Sequence, residues 1–198
     1  MEGKKKECIL VEAAKAFARF GFKKASVDEI AKQAGVGKGT VYLAADSKED
    51  LYYQVLHREM RAWIAECSQT LDHRKPADRL LGELLAIAMS HLDQRPLVCE
   101  LLYGSSEKLL PEWRDRFAEL RALGRANLLE ILRLGVRQGI FRKDLEIDTV
   151  AALLQDFHLS AYLPHHEGDP QRDVVERARV GLDLVLNGLR AKTPAFAP

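Results

Sequence analysis

Proline is missing from the first 75 residues of this 198-residue chain. Beyond that point, Pro76, Pro96, Pro111, Pro164 and Pro170 stand where helices should begin or stop. Long apolar runs are also missing: the longest stretch without Asp, Glu, Lys or Arg is ten residues, Phe157 to His166. A membrane helix needs ~18, so a soluble protein is expected, with no membrane partner. Residues 1–20 hold no apolar signal-peptide core, and Cys8, Cys67 and Cys99 are odd in number and widely spaced. That excludes a disulfide framework and a zinc knuckle, and a reducing cytoplasm fits best. Strict apolar and polar alternation is absent, which excludes a sheet protein. No Gly-rich phosphate loop, HExxH or GxSxG occurs, so neither an enzyme nor a cofactor is expected. His165, His166 and Glu167 cluster between two prolines, but adjacent loop histidines are usually solvated, and no metal site is expected.

What is present is charge in one place and helical periodicity nearly everywhere. Hydrophobic residues make up 47% and charged residues 30%, enough of the former to exclude general disorder. Residues 1–45 carry nine Lys or Arg against five Asp or Glu, a balance of +4, which leaves −3 for residues 46–198 of a chain whose net charge is +1. A basic amino-terminal quarter is consistent with a nucleic-acid contact there.

Apolar stripes of 3.6-residue period imply an all-α fold. A first helix over about residues 5–20 has Ile9, Ala13, Ala16, Phe17 and Phe20 on one face, with Gly21 as its left-handed cap and Phe22 folded back on Phe17. "SVDE" then reads as a capping box, Ser26 with Glu29, opening a second helix that stops at Gly35. Only Gly35, Val36 and Gly37 separate it from a third helix of about six residues, Lys38 to Leu43, which is helix-turn-helix spacing. A fourth runs from Ser47 to about Leu71 and buries Tyr52, Leu56, Met60, Trp63 and Cys67. Further helices are expected near 77–92, 96–103, 111–138, 149–163 and 171–190, nine in all, with Gly139 and Asp148 as caps before the eighth.

"ILVEAAKAFARFGFKKASVDEIAKQAGVGKGTVY" followed by "SKEDLYYQVL" resembles the amino-terminal domain of the TetR family of bacterial transcriptional regulators. The resemblance covers about Ile9 to Leu56 and implies a helix-turn-helix domain over residues 1–46, with the helix-turn-helix itself at about 27–46. It further implies that Ser26, Lys38, Gly39, Thr40, Tyr42 and Lys48 contact double-stranded DNA. Ser26 would offer its hydroxyl to a phosphate, while Lys38, Gly39 and Thr40 face the major groove with Tyr42 beside them. Lys48 would close a phosphate clamp. A lysine in a helix's first turn opposes the helix dipole, and a phosphate there reverses the sign of that effect. Where the family usually has an aromatic or histidine pair, this chain has Ala44 and Ala45.

The resemblance also implies that residues 47–198 form a ligand-sensing, dimerising domain in which the last two helices pair with their copies. Ala151, Leu154, Phe157, His158, Ala161 and Tyr162 on one helix, and Val174, Ala178, Gly181, Leu182, Val185 and Leu189 on the other, mix the small and large residues such a homodimer interface needs, a pattern that equally suits an intrachain core. Trp63, Cys99, Tyr103, Trp113 and Phe117 are candidates to line a pocket for an unidentified small molecule. Glu100, on a helix apolar nearly all round, needs a partner, either a ligand or Arg121. The function expected is therefore a ligand-responsive homodimeric repressor of a palindromic operator. The alternative is an all-helical binding protein or enzyme whose helix-turn-helix is vestigial.

Overall fold

The computed structural model describes residues 2–92, 94–103, 108–162 and 172–191, with side chains for all of these except Glu2, Met89, His91, Leu92, 158–162 and 172–179. The protein is all-α, with ten α-helices among the described residues and one isolated bridge, Phe141 to Arg190. They are α1 Glu2–Lys24, α2 Val27–Gln33, α3 Lys38–Ala44, α4 Lys48–Thr70, α5 Ala77–Leu92, α6 Pro96–Leu102, α7 Arg114–Leu123, α8 Ala126–Arg137, α9 Ile147–Tyr162 and α10 Arg172–Leu189, with a 3-10 turn at Pro111–Trp113. The single helix expected over 111–138 is divided. Gly124 and Arg125 separate α7 from α8, at the residue whose missing side chain weakens a helix by about 1 kcal/mol. Asp148 lies inside the first turn of α9 rather than capping it.

Residues Met1–Trp63 with His91–Leu123 form one compact unit, and Ile64–Ser90 with Gly124–Pro198 form another. In the first, α2 and α3 pack on α1 and on each other, while α6 packs on α1 and α7. Its core is Ile9, Ala13 and Phe17 of α1, Ile30 and Ala31 of α2, Val41 of α3, and Leu51, Tyr52, Val55, Leu56 and Met60 of α4, all buried.

Gly21 breaks α1, but differently from expectation. Its φ of 71° is left-handed while its ψ of 164° is extended, a region open essentially to glycine alone, so the chain steps into one more helical turn before α2. Phe22 packs on Phe17 as expected, its ring 6.2 Å away and 5.1 Å from Tyr52, but Phe20 does not join the core and is left 48% exposed beneath the Arg19 guanidinium.

In the second unit α9 packs on both α8 and α10. The C-terminus of α8 is closed by Gly139 at φ 71°, with the Ile140 N–H donating to the Gly135 carbonyl at 3.0 Å. That is the glycine cap expected from the sequence. Phe141 then folds back, fully buried, over Gly135.

Candidate nucleic-acid interface

The turn before α3 is fixed by backbone chemistry alone. Gly35 has φ 66°, its N–H donates to Lys32 at 3.2 Å, and the Val36 N–H donates to the Ala31 carbonyl at 3.0 Å, the paired bonds of a Schellman end. Two residues later α3 begins, with Gly37 at its N-cap and no side chain closing it. One residue of α3, Val41, is buried; Tyr42 is 44% and Leu43 89% exposed, and Lys38 and Gly39 are exposed as well. A Cβ added at Gly39 would meet nothing within 4 Å, so no packing requirement within the chain accounts for glycine there. The helix is thus seated chiefly by Val41, with Thr40 and Ala44 half-buried and Lys38, Gly39, Tyr42 and Leu43 turned outward.

Charge on this surface is organised by two contacts. Lys38 Nζ donates to Asp28 Oδ2 of α2 at 2.9 Å, with both side chains largely exposed. That hydrogen bond, helped by the carboxylate's charge, holds the Lys38 ammonium's pKa above its ordinary value. Lys48 Nζ, in the first turn of α4, donates to the Lys23 carbonyl at 3.2 Å and lies 4.8 Å from the centre of the Phe22 ring. Its cation is held beside the end of α1 and close to Lys23.

The helix start that carries Lys48 forms much as its sequence suggests. Ser47 Oγ accepts the Asp50 N–H at 3.1 Å, and the Asp50 carboxylate reaches back to the Asp46 N–H at 3.2 Å. At α2 the expected capping box does not form. The Ser26 hydroxyl makes no cap bond and is exposed, and Glu29 instead accepts from Gln33 at 2.7 Å. Ala45 is buried, and Gln54 ties the Ala44 carbonyl to α4 with a 3.1 Å hydrogen bond. Lys4, Lys5 and Lys6 lie in the opening turns of α1.

The candidate pocket residues all lie in the same unit as α3. Phe117 is fully buried, edge-on to Tyr52 at 6.3 Å and 6.4 Å from Trp113, and Trp63 is buried. Glu100 is half-buried, and the partner the fold gives it is Tyr52, whose hydroxyl donates to Oε1 at 2.7 Å. Arg121, Cys99 and Tyr103 are half-buried on their own segments. Tyr53 and Arg116, which sequence reasoning did not select, belong with them. The Arg116 guanidinium lies 4.3 Å from the ring centres of both Tyr53 and Trp113. Tyr53 follows Tyr52 on α4, a doublet the sequence displays, but nothing local pairs it with α7.

On the last two helices, Ala151, Leu154 and Leu189 are buried within the chain itself, while Gly181, Leu182 and Val185 are half-buried. The side chains of His158, Ala161, Tyr162, Val174 and Ala178 lie outside the described residues, as do His165, His166 and Glu167. The exposed apolar residues here are Leu153 at 62%, Phe157 at 40%, Val180 at 43% and Leu184 at 68%, of which the sequence pointed only to Phe157. Among the described residues no group of three His, Cys, Asp or Glu is placed to hold a metal, and no helix is long and apolar enough to cross a membrane.

Residues 9–55 match the family model for bacterial regulatory proteins of the tetR family. Over 151 residues, 75% of this chain and 73% of the relative, the sequence is 30% identical to the HTH-type transcriptional repressor KstR2 of Mycolicibacterium smegmatis. The chain belongs to the TetR family. It is accordingly a DNA-binding regulator of transcription and not an enzyme. A second relative, the fatty acid metabolism regulator protein of Bacillus subtilis, is 25% identical over 187 residues, 93% of this chain and 95% of that one. The fold agrees with the crystal structure of the transcriptional regulator FadR from Bacillus subtilis in complex with stearoyl-CoA, at a TM-score of 0.69 and 22% identity over 93% of this chain and 99% of that one.

Proposed function

We propose that the protein is a homodimeric repressor, acting in the cytoplasm, that binds a palindromic operator through α3 and releases it when a small molecule is bound. The observation that carries this reading is α3 itself, seven residues anchored by Val41, with Lys38, Gly39, Tyr42 and Leu43 left outside the fold. Gly39 lets the backbone approach the major groove, with Lys38 and Thr40 on either side and Tyr42 one turn on. The unbonded Ser26 hydroxyl and Lys48 would hold phosphates. One such helix reads few base pairs, and a two-fold pair reads half-sites about 34 Å apart, which is why a dimer is required. Leu153, Phe157, Val180 and Leu184 are proposed as the face that a second copy covers, because exposed apolar residues of this size on adjacent helices are otherwise a solubility cost.

The division of labour proposed is that residues 1–46 read DNA while 47–198 bind ligand and dimerise. The pocket would draw on Trp63, Cys99, Glu100, Tyr103, Trp113, Phe117 and Arg121. Names of the relatives favour an inducer with an extended apolar body. One is a fatty acid metabolism regulator, the related fold holds stearoyl-CoA, and a KstR2 structure is described as a ketosteroid regulator. The test is a gel-shift against duplexes selected by the protein from a random pool. Wild type is expected to retard a palindromic product at low salt, Tyr42→Ala to lose that product while still sedimenting as a dimer, and long-chain acyl-CoA to release it. Selection of no common sequence would sink the proposal.

A further inference from the structure

The ion pair between Lys38 and Asp28 stands apart from the other charged contacts of the amino-terminal unit. Lys38 opens the helix that reads DNA, and its partner is an acid on the neighbouring helix of the same motif. Both groups are solvated, with side chains 52% and 67% exposed, so burial neither requires the pair nor stabilises it. An acid in the first turn of α2 suits the helix dipole, but this one also stands beside a surface that has to meet phosphates and engages one of its cations.

From this geometry we infer that Asp28 is a specificity-determining residue for DNA, an internal competitor that holds Lys38 until a cognate duplex displaces it. The inference rests on the reading of α3 proposed above and names a residue that reading leaves out. In the free protein the Lys38 ammonium already has an oxygen partner at 2.9 Å, so a phosphate met at random offers it only an exchange of one anion for another. On a non-cognate duplex the pair stays closed, its two charges compensate each other, and Lys38 adds nothing. On the operator, contacts by Thr40 and Tyr42 fix α3 in the groove, and the fixed position lets Lys38 trade Asp28 for a DNA acceptor. Asp28 thereby lowers the sequence-independent part of binding more than the sequence-dependent part.

Salt dependence carries a second signature of the same device. When Lys38 leaves Asp28 for DNA, the exposed carboxylate takes up solvent cations, opposing the release of counterions from the phosphates. The salt slope of operator binding should therefore be shallower than the count of contacting cations implies, and removing the acid should steepen it.

The experiment is a double-mutant cycle with Asp28→Asn and Lys38→Ala, measured on the operator selected by wild type and on a scrambled duplex of equal length, over a salt series. Asp28→Glu serves as the conservative control, and thermal melting reports on the fold. Asp28→Asn is expected to tighten scrambled-duplex binding about two- to fivefold and operator binding by less. It should also steepen the operator salt slope by up to about 1 per reading head. Asp28→Glu should restore wild-type discrimination. In the Lys38→Ala background the effect of Asp28→Asn should largely disappear, because the two residues act as one unit. An undiminished effect in that background would show plain charge repulsion and overturn the inference. So would equal tightening on both duplexes, or no tightening at all. If Lys38→Ala and Tyr42→Ala both bind the operator as wild type does, it is the reading of α3 that fails, a result distinct from any of these.

Discussion

Substituting Gly135 by alanine sets two effects of opposite sign against each other. Alanine is the better helix former, worth about 1 kcal/mol in a helix interior, so α8 taken alone should gain. Yet a Cβ at this position would stand 2.1 Å from Phe141 Cδ2, 2.4 Å from Cε2 and 2.8 Å from Cγ. Contact with Cγ means that the root of the ring is obstructed as well as its edge, and rotating a fully buried ring offers no relief. Phe141 must move as a whole, and its own N–H bonds the Gly135 carbonyl at 3.0 Å, so the helix cap moves with it. Over-packing of a filled site costs about 1–3 kcal/mol, and a clash this deep belongs at the upper end. The clash therefore wins, leaving a net loss of roughly 1–2 kcal/mol. At about 2–4 °C per kcal/mol for a chain of this size, melting should fall by about 2–8 °C in circular dichroism or calorimetry. An unchanged or raised melting temperature would show that Phe141 does not rest on Gly135. Gly181 is the contrasting case, since a Cβ there meets the far end of Phe157, with Cζ at 2.0 Å, and that ring is 40% exposed and can swing outward. Gly181→Ala should melt close to wild type but sediment with a weakened dimer, and equal losses in both variants would contradict the distinction.

Lys48→Ala should reduce the slope of log affinity against log salt by roughly 1 per half-site, measured by fluorescence anisotropy, and an unaltered slope would remove Lys48 from the phosphate clamp. For His57, burial and then the charge of Arg61 lower the imidazole pKa below its ordinary 6.5. The unfolded chain then takes up the proton first, so stability is fully present above about pH 6.5 and declines as pH falls through that value. His57→Gln should flatten the rise in melting temperature between about pH 5 and 7, and an identical profile would show that His57 is not the group responsible.

The amino-terminal motif was legible because its boundaries are local. Gly35 needs a positive φ and supplies it, and Ser47 caps the N–H three residues ahead. The apolar stripe of α4 from Tyr52 to Cys67 follows from helical period alone, and each of its members is buried. What escaped prediction depends on groups far apart in the chain or on backbone angles that composition does not encode. Phe22 meets Phe17 as expected, but the ψ of Gly21 leaves Phe20 outside the core. Glu100 finds Tyr52, 48 residues away, instead of the nearer Arg121 considered from sequence. The apolar period runs on across Gly124, so periodicity alone could not place the break between α7 and α8. On α9 and α10 the stripe selected from sequence includes Ala151, Leu154 and Leu189, which the chain buries itself, while Leu153, Val180 and Leu184 on the same helices stay exposed. Period identifies an apolar face but not which neighbour covers it.

The short segment from Gly37 to Ala45 separates two properties that most helices combine. Its attachment uses Val41, the buried Ala45 and a backbone carbonyl gripped by Gln54, and none of these is a side chain that faces outward. Positions 38, 42 and 43 can therefore be replaced with little effect on folding. Recognition in this protein can diverge rapidly after gene duplication, or be retargeted by selection from a small library, on a scaffold whose stability is settled elsewhere.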